Sequence, residues 1–166
     1  MFDWLSALIP YTPFFIFVAA FFDVFAFTGL FLYGGTLLVA IAGLHASGVI
    51  TAPEIALAAI AGTLLGSGTN FFIGRRSSHL PFVQKLLQKR IIKRLDDLAN
   101  KQHLLVFIIV GRFITLARPL YSLFLGTLEV SPRRFFLYEI PVVIVWVLLW
   151  LFILLQGETF VTKYVF

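Results

Sequence analysis

The first 74 residues contain no lysine and no arginine. A soluble domain carries about 25% charged residues; this chain of 166 residues is 13% charged and 60% hydrophobic. Such a composition excludes a soluble globular domain and a disordered one; the expectation is an integral membrane protein, read as all-α from the spans below. One crossing takes about 20 apolar residues, so roughly four or five crossings are the most the chain can hold. Cysteine is absent, which excludes disulfides, thiol catalysis and thiolate metal sites.

Lysine and arginine total 13 against 8 acids, a net charge of +5. Eight of the basic residues, from Arg75 and Arg76 to Lys101, lie between 75 and 101. The positive-inside rule places that connection in the cytoplasm, so the basic surplus reports orientation and not nucleic-acid binding. Within it, Val83, Leu86, Leu87, Ile91, Leu95 and Leu98 recur at helical spacing with lysines and arginines interleaved. The spacing predicts an amphipathic cytoplasmic helix over 80–101. Residues 81–101 would lie on the anionic leaflet or pack on the protein's own cytoplasmic face. Residues 1–12 read as an interfacial lead-in with Trp4 as a headgroup-level anchor, and no cleaved signal peptide is predicted.

The apolar stretch 13–46 is too long for one ordinary span and short for two. Gly29, Gly34, Gly35 and Gly43 interrupt its second half. This predicts one span over about 14–32 and a re-entrant segment over 33–47, since irregular backbone at membrane depth needs protein or a cavity around it. A second span is expected over 53–73, with Gly62 and Gly66 at the spacing that permits close helix packing. The stretch 104–128 contains Arg112 and Arg118 and reads as a second re-entrant hairpin with an unwound tip. A last span is expected over 135–155. The architecture predicted is a single membrane domain, 1–166, with about three transmembrane helices, two opposed re-entrant hairpins and one amphipathic helix.

Arg112 and Arg118 carry the strongest chemical signal. Each costs about 2.5–3.5 kcal/mol at membrane depth, a cost accepted when the guanidinium is paired, hydrated or needed for an anion. Arginine grips phosphate bidentately. The alternatives are snorkelling to the surface and structural pairing with Asp23 or Glu139. Asp23 would sit about 14 Å into its span at 1.5 Å per residue, either exchanging protons or pairing with an arginine. Glu139 is expected to pair locally with Arg133 or Arg134. Ser67 and Asn70 are candidate cavity residues, or bonds across helices. His45, His79 and His103 lack metal-ligand spacing, so no metal or other cofactor is expected.

The segment 111–119 (GRFITLARP) resembles the G-R-F-x-P-x-x-R motif of the DedA family, the SNARE-associated Golgi or VTT-domain membrane proteins. Gly126, the Pro132-Arg133-Arg134-Phe135 run and Trp146 match neighbouring family features. Upstream, 62–75 (GTLLGSGTNFFIGR) is similar to the family's G-A-x-x-G-D-x-x-x-Y-x-x-G-R. The resemblance implies two opposed re-entrant hairpins and the translocation of phosphate-bearing lipids, such as undecaprenyl phosphate or a phospholipid, in a bacterial cytoplasmic membrane. Arg112 and Arg118 would then hold the phosphate headgroup. Arg75 would sit at the cytoplasmic mouth, with Ser67, Asn70 and Thr115 lining it.

Three positions depart from the family pattern. The first-hairpin acid is replaced at Tyr33-Gly34-Gly35, the G-D acid by Ser67, and the motif proline by Thr115. Proton coupling, which the family assigns to those acids, would fall here to Asp23 or Glu139. The expected function is a flippase or scramblase without a chemical step, so not an enzyme. A proton-coupled small-ion transporter and a non-transporting scaffold are the alternatives. Membrane lipids are the expected partners, and a homo-oligomer is compatible with the sequence.

Overall fold

A computed structural model of the chain describes residues 9–26, 28, 34–81, 104–114, 118 and 120–164, with 34–39 and 157–164 described by backbone alone. Nearly all of the amphipathic helix expected over 80–101, most of the lead-in 1–12, and Thr115 lie outside the described residues. Every described element is a helix. After a short 3-10 turn at Ile9–Tyr11 come α1 (Thr12–Val24), α2 (Gly34–Ala46), α3 (Ala52–Ser77), α4 (Leu104–Phe113), α5 (Tyr121–Thr127) and α6 (Pro132–Tyr164).

Two of these are long and apolar enough to cross a membrane: α3, with 26 residues, and the 25-residue Pro132–Gln156 part of α6. The third span expected over 14–32 does not form as one helix. Its helix α1 ends at Val24, and Phe25 turns extended at φ −65° and ψ 130°. The cause is a side chain distant in sequence. Asn70 of α3 donates from Nδ2 to the Val24 carbonyl at 2.8 Å and accepts the Ala26 N–H on Oδ1 at 3.0 Å. Its amide stands in for the backbone partners that the broken helix lacks, which removes the desolvation cost of stopping inside an apolar region. The segment expected as re-entrant over 33–47 contains α2, which ends at a turn where Gly48 takes φ 73°. At 13 residues, α1 reaches about 20 Å, short of the roughly 30 Å hydrocarbon core.

α3 begins with a capping box, Thr51 with Glu54, and has a proline in its first turn. Its glycines set the packing. A Cβ on Gly62 would overlap the Phe17 carbonyl oxygen, and one on Gly66 would come to 2.8 Å from that of Phe21, so α1 lies backbone-close along α3. Farther along, Gly74 faces Leu123 and Gly126 faces Phe71, which seats α5 against α3 in the same way. The G-x-x-x-G expectation at Gly62 and Gly66 is met by a helix crossing. Two apolar cores result. One joins Phe71, Leu104, Ile108, Tyr121, Leu125, Val130 and Phe135, with Phe71 stacked on Phe135 at 4.3 Å. The other joins Ile16, Ile41, Ile50 and Ile55, with Leu151 and Leu154 packed against it. Because late α3 meets early α6 and early α3 meets late α6, these two long helices run antiparallel. Their outward residues, among them Leu57, Leu65, Leu137, Val145 and Phe152, are exposed apolar surface suited to lipid.

Candidate functional site

Helices α4 and α5 end and begin around the two arginines, one inside the last turn of α4 and the other after it. Arg112 is the penultimate residue of α4; Arg118 lies between α4 and α5, its N–H bonded to the Ile114 carbonyl at 2.9 Å. A cation in the last turn of α4 is favoured by the free carbonyls there. The end of α1 faces the same place, so two helix ends meet where the charges are.

Each arginine finds one carboxylate from another helix. Arg118 Nη2 meets Asp23 Oδ1 at 2.9 Å, with the two side chains 15% and 13% exposed. Arg112 Nη1 meets Glu139 Oε1 of α6 at 2.9 Å, at 1% and 0% exposure. The pairing expected for Asp23 is therefore observed, with Arg118 as the partner. The local pairing expected for Glu139 with Arg133 or Arg134 is corrected: Glu139 is buried on the face of α6 that meets α4, and its ion pair is with Arg112.

A third group completes the buried pair. The Tyr121 hydroxyl accepts from Arg112 Nη1 at 2.8 Å and donates to Glu139 Oε1 at 2.6 Å. Sequence reasoning missed Tyr121, because a tyrosine in an apolar run carries no motif of its own. The one local cue is Gly111: a Cβ there would approach the Tyr121 Cβ to 2.8 Å, so the glycine makes room for the ring. Phe113 stands edge-on to Trp146 at 4.9 Å and fastens this end of α4 to α6.

The pairs do not use all the polar capacity present. Among the described residues, Arg112 Nε and Nη2, Arg118 Nε, Glu139 Oε2 and Ser122 Oγ are buried without a hydrogen-bond partner. Buried polar atoms are normally paired, and orphans of this kind point to water or a ligand. On Arg112 the two orphans are not scattered. Nε and Nη2 form one edge of the guanidinium, with two parallel N–H bonds that match two oxygens of a phosphate or carboxylate.

The remaining sequence candidates have bonds within the fold. Ser67 is buried and donates to the Thr63 carbonyl at 2.8 Å. Asn70 holds the end of α1, as described. Arg75 Nη1 donates to the Val130 carbonyl at 3.0 Å, and Ser78 bonds Glu129 at 2.9 Å, so this end of α3 secures the turn after α5. Among the described residues no three histidine or acidic side chains converge as a metal site.

A family model described as the VTT domain matches residues 9–156, which includes both arginines, both acids and Tyr121. The chain belongs to the VTT-domain family, also called DedA. Two curated relatives agree with a membrane setting. A protein of Buchnera aphidicola subsp. Schizaphis graminum named "Uncharacterized membrane protein" is 28% identical over 150 residues, covering 87% of this chain and 59% of the relative. The inner membrane protein YabI of Escherichia coli K12 is 30% identical over 135 residues, covering 78% of this chain and 51% of the relative. The chain thus spans a little over half the length of the curated relatives it matches. No solved structure matches it. As a VTT-domain protein it is a helical membrane protein, with two ion pairs, Arg112–Glu139 and Arg118–Asp23, linking its helices.

Proposed function

We propose that this VTT-domain protein moves a phosphate-bearing lipid, such as undecaprenyl phosphate or a phospholipid, across a bilayer with the headgroup held at Arg112 and Arg118. The observation that carries this reading is the unpartnered Nε–Nη2 edge of the buried Arg112. Two aligned donors, desolvated and unused, favour an oxyanion strongly because the binding site has already lost its water. Arg118 offers a further buried donor, Nε.

In this reading α4 and α5 form one re-entrant hairpin and α2 belongs to an opposed one, with the breaks near mid-membrane. The acyl or prenyl tails stay in the bilayer beside the exposed apolar faces while the phosphate crosses through the polar centre. Compensating the headgroup charge removes most of the crossing barrier, so no bond is made or broken and the protein is not an enzyme. Residues 75–101 would be cytoplasmic, 81–101 would rest on the anionic leaflet, and the membrane would be the bacterial cytoplasmic one.

The test uses purified protein in phosphatidylcholine vesicles containing a trace of fluorescent phosphatidate, with inorganic phosphate uptake measured in parallel. Arg112→Lys keeps the charge and loses the two-donor edge, so it should reduce lipid translocation at least ten-fold, as should Arg118→Ala. Wild-type rates in both variants would exclude the mechanism. Uptake of free phosphate with the same arginine dependence would make the anion itself the cargo. A protein that moves neither would be a scaffold.

A second reading has one observation in its favour. Asp23 is paired with Arg118 by a single contact and remains partly exposed, so an arriving anion can displace it and leave a carboxylate ready to take a proton. It predicts proton-coupled transport whose pH dependence disappears in Asp23→Asn.

A further inference from the structure

We propose that Tyr121 is the positioning residue of the Arg112 site, and that its hydroxyl keeps the oxyanion-binding edge of the guanidinium open. The inference rests on the phosphate reading above. An arginine and a carboxylate buried together, with nothing between them, relax toward a bidentate pair, two parallel N–H···O bonds using both oxygens. That arrangement would draw Glu139 Oε2 onto the guanidinium and could use the Nε–Nη2 edge itself. Here the pair is held at a single contact, Nη1 to Oε1, and Oε2 is left unpartnered.

The group that holds it so is the Tyr121 hydroxyl. It bonds the same Nη1 at 2.8 Å and the same Oε1 at 2.6 Å that the ion pair uses. A carboxylate rotating to bidentate contact must give up the bond from Tyr121, and a guanidinium turning its other edge toward Glu139 must give up its bond to the phenol oxygen. The ring cannot follow either motion. It is buried in the core with Phe71, Leu104, Ile108 and Leu125, and Gly111 leaves no slack beneath it. The phenol thus sets which edge of Arg112 faces a ligand, and does so without touching the ligand.

The consequence is separable from folding. Tyr121→Phe keeps the ring and its packing and removes only the oxygen. In the vesicle assay with fluorescent phosphatidate, the half-saturating lipid concentration should rise about ten-fold, the loss expected when a hydrogen bond to a charged group no longer orients it. The maximal rate should stay within about two-fold, and the thermal unfolding midpoint should not fall, because Glu139 can close on the freed guanidinium. In an Arg112→Lys background, Tyr121→Phe should add no further loss, because there is no fork left to orient.

An unchanged half-saturating concentration in Tyr121→Phe overturns the proposal. So does an equal fractional loss in the Arg112→Lys background, or a variant that loses its cooperative unfolding transition; either makes the hydroxyl a plain structural bond. A flat Arg112→Lys arm is a different failure: it removes the phosphate reading, and the role of Tyr121 with it. The inorganic phosphate arm tells a lipid headgroup from the free anion.

Discussion

Arg112 and Glu139 meet through one nitrogen and one oxygen, 2.9 Å apart and closed off from solvent, and 27 residues separate them in the chain. They join the end of α4 to α6 at the level where α1 is also broken. Breaking a buried pair from one side leaves a bare charge, which costs about 3–5 kcal/mol, whereas replacing both partners with apolar side chains is often neutral. Arg112→Leu and Glu139→Leu should therefore each destabilise the protein by about 3–5 kcal/mol, while R112L/E139L regains most of that loss. Recovery stays short of complete because the Tyr121 hydroxyl loses both partners. Denaturant unfolding in detergent reads the stabilities; two losses that simply add would show the pair is not coupled. Lipid translocation should remain absent in the double variant even as stability returns.

The Asp23–Arg118 pair should behave differently. Both side chains keep some exposure, 13% and 15%, so a charge left alone there can still be hydrated. Asp23→Asn should cost about 1–2 kcal/mol, between the value for a surface pair and that for a buried one. The ranking is the test. Asp23→Asn must be milder than Glu139→Gln in the same unfolding experiment, and the reverse order would mean that the two sites have been assigned the wrong environments.

Much of this was readable in the chain. Two arginines in an apolar stretch mark the site without a structure, because their cost at depth demands compensation. The Gly62 and Gly66 spacing announces a close helix crossing. The failures have a common cause: a partner distant in sequence. The span expected over 14–32 stops at Val24 because an amide 46 residues later takes its carbonyl. For Glu139 the local pairing with Arg133 or Arg134 gives way to the other pairing the chain allows, with Arg112, because α6 turns it inward. Nothing in the chain sets Tyr121 apart from 20 phenylalanines; its place comes from the meeting of α4, α5 and α6.

The glycine crossings give a prediction with a built-in control. A Cβ on Gly126 would overlap the Phe71 carbonyl oxygen and stand 2.8 Å from the Arg75 nitrogen, and one on Gly74 would overlap the Leu123 carbonyl oxygen. These obstacles are backbone, so no rotamer change relieves them. Gly126→Ala and Gly74→Ala should each lower stability by about 1–3 kcal/mol or more through overpacking. Gly43 lies in α2 with nothing, among the described residues, within 4 Å of the position a Cβ would take. Gly43→Ala should raise stability by about 0.5–1 kcal/mol, the usual gain from removing a helix glycine. Unfolding midpoints that move together in all three variants would argue against this packing.

Asn70 is the last case, because it ties the fold to the site. Its amide bonds the Val24 carbonyl at 2.8 Å and the Ala26 N–H at 3.0 Å, and Asp23 is the next residue back from Val24. Asn70→Leu keeps the branching and heavy-atom count of the side chain but leaves a buried carbonyl and a buried N–H without these partners, at about 1–3 kcal/mol each. Asn70→Asp keeps an acceptor for Ala26 but sets a second oxygen against the Val24 carbonyl, so it should not restore stability. If the amide also aims Asp23 at Arg118, then Asp23→Asn must have a smaller effect in the Asn70→Leu background than in the wild type. Strict additivity of the two would leave Asn70 as a helix cap and nothing more.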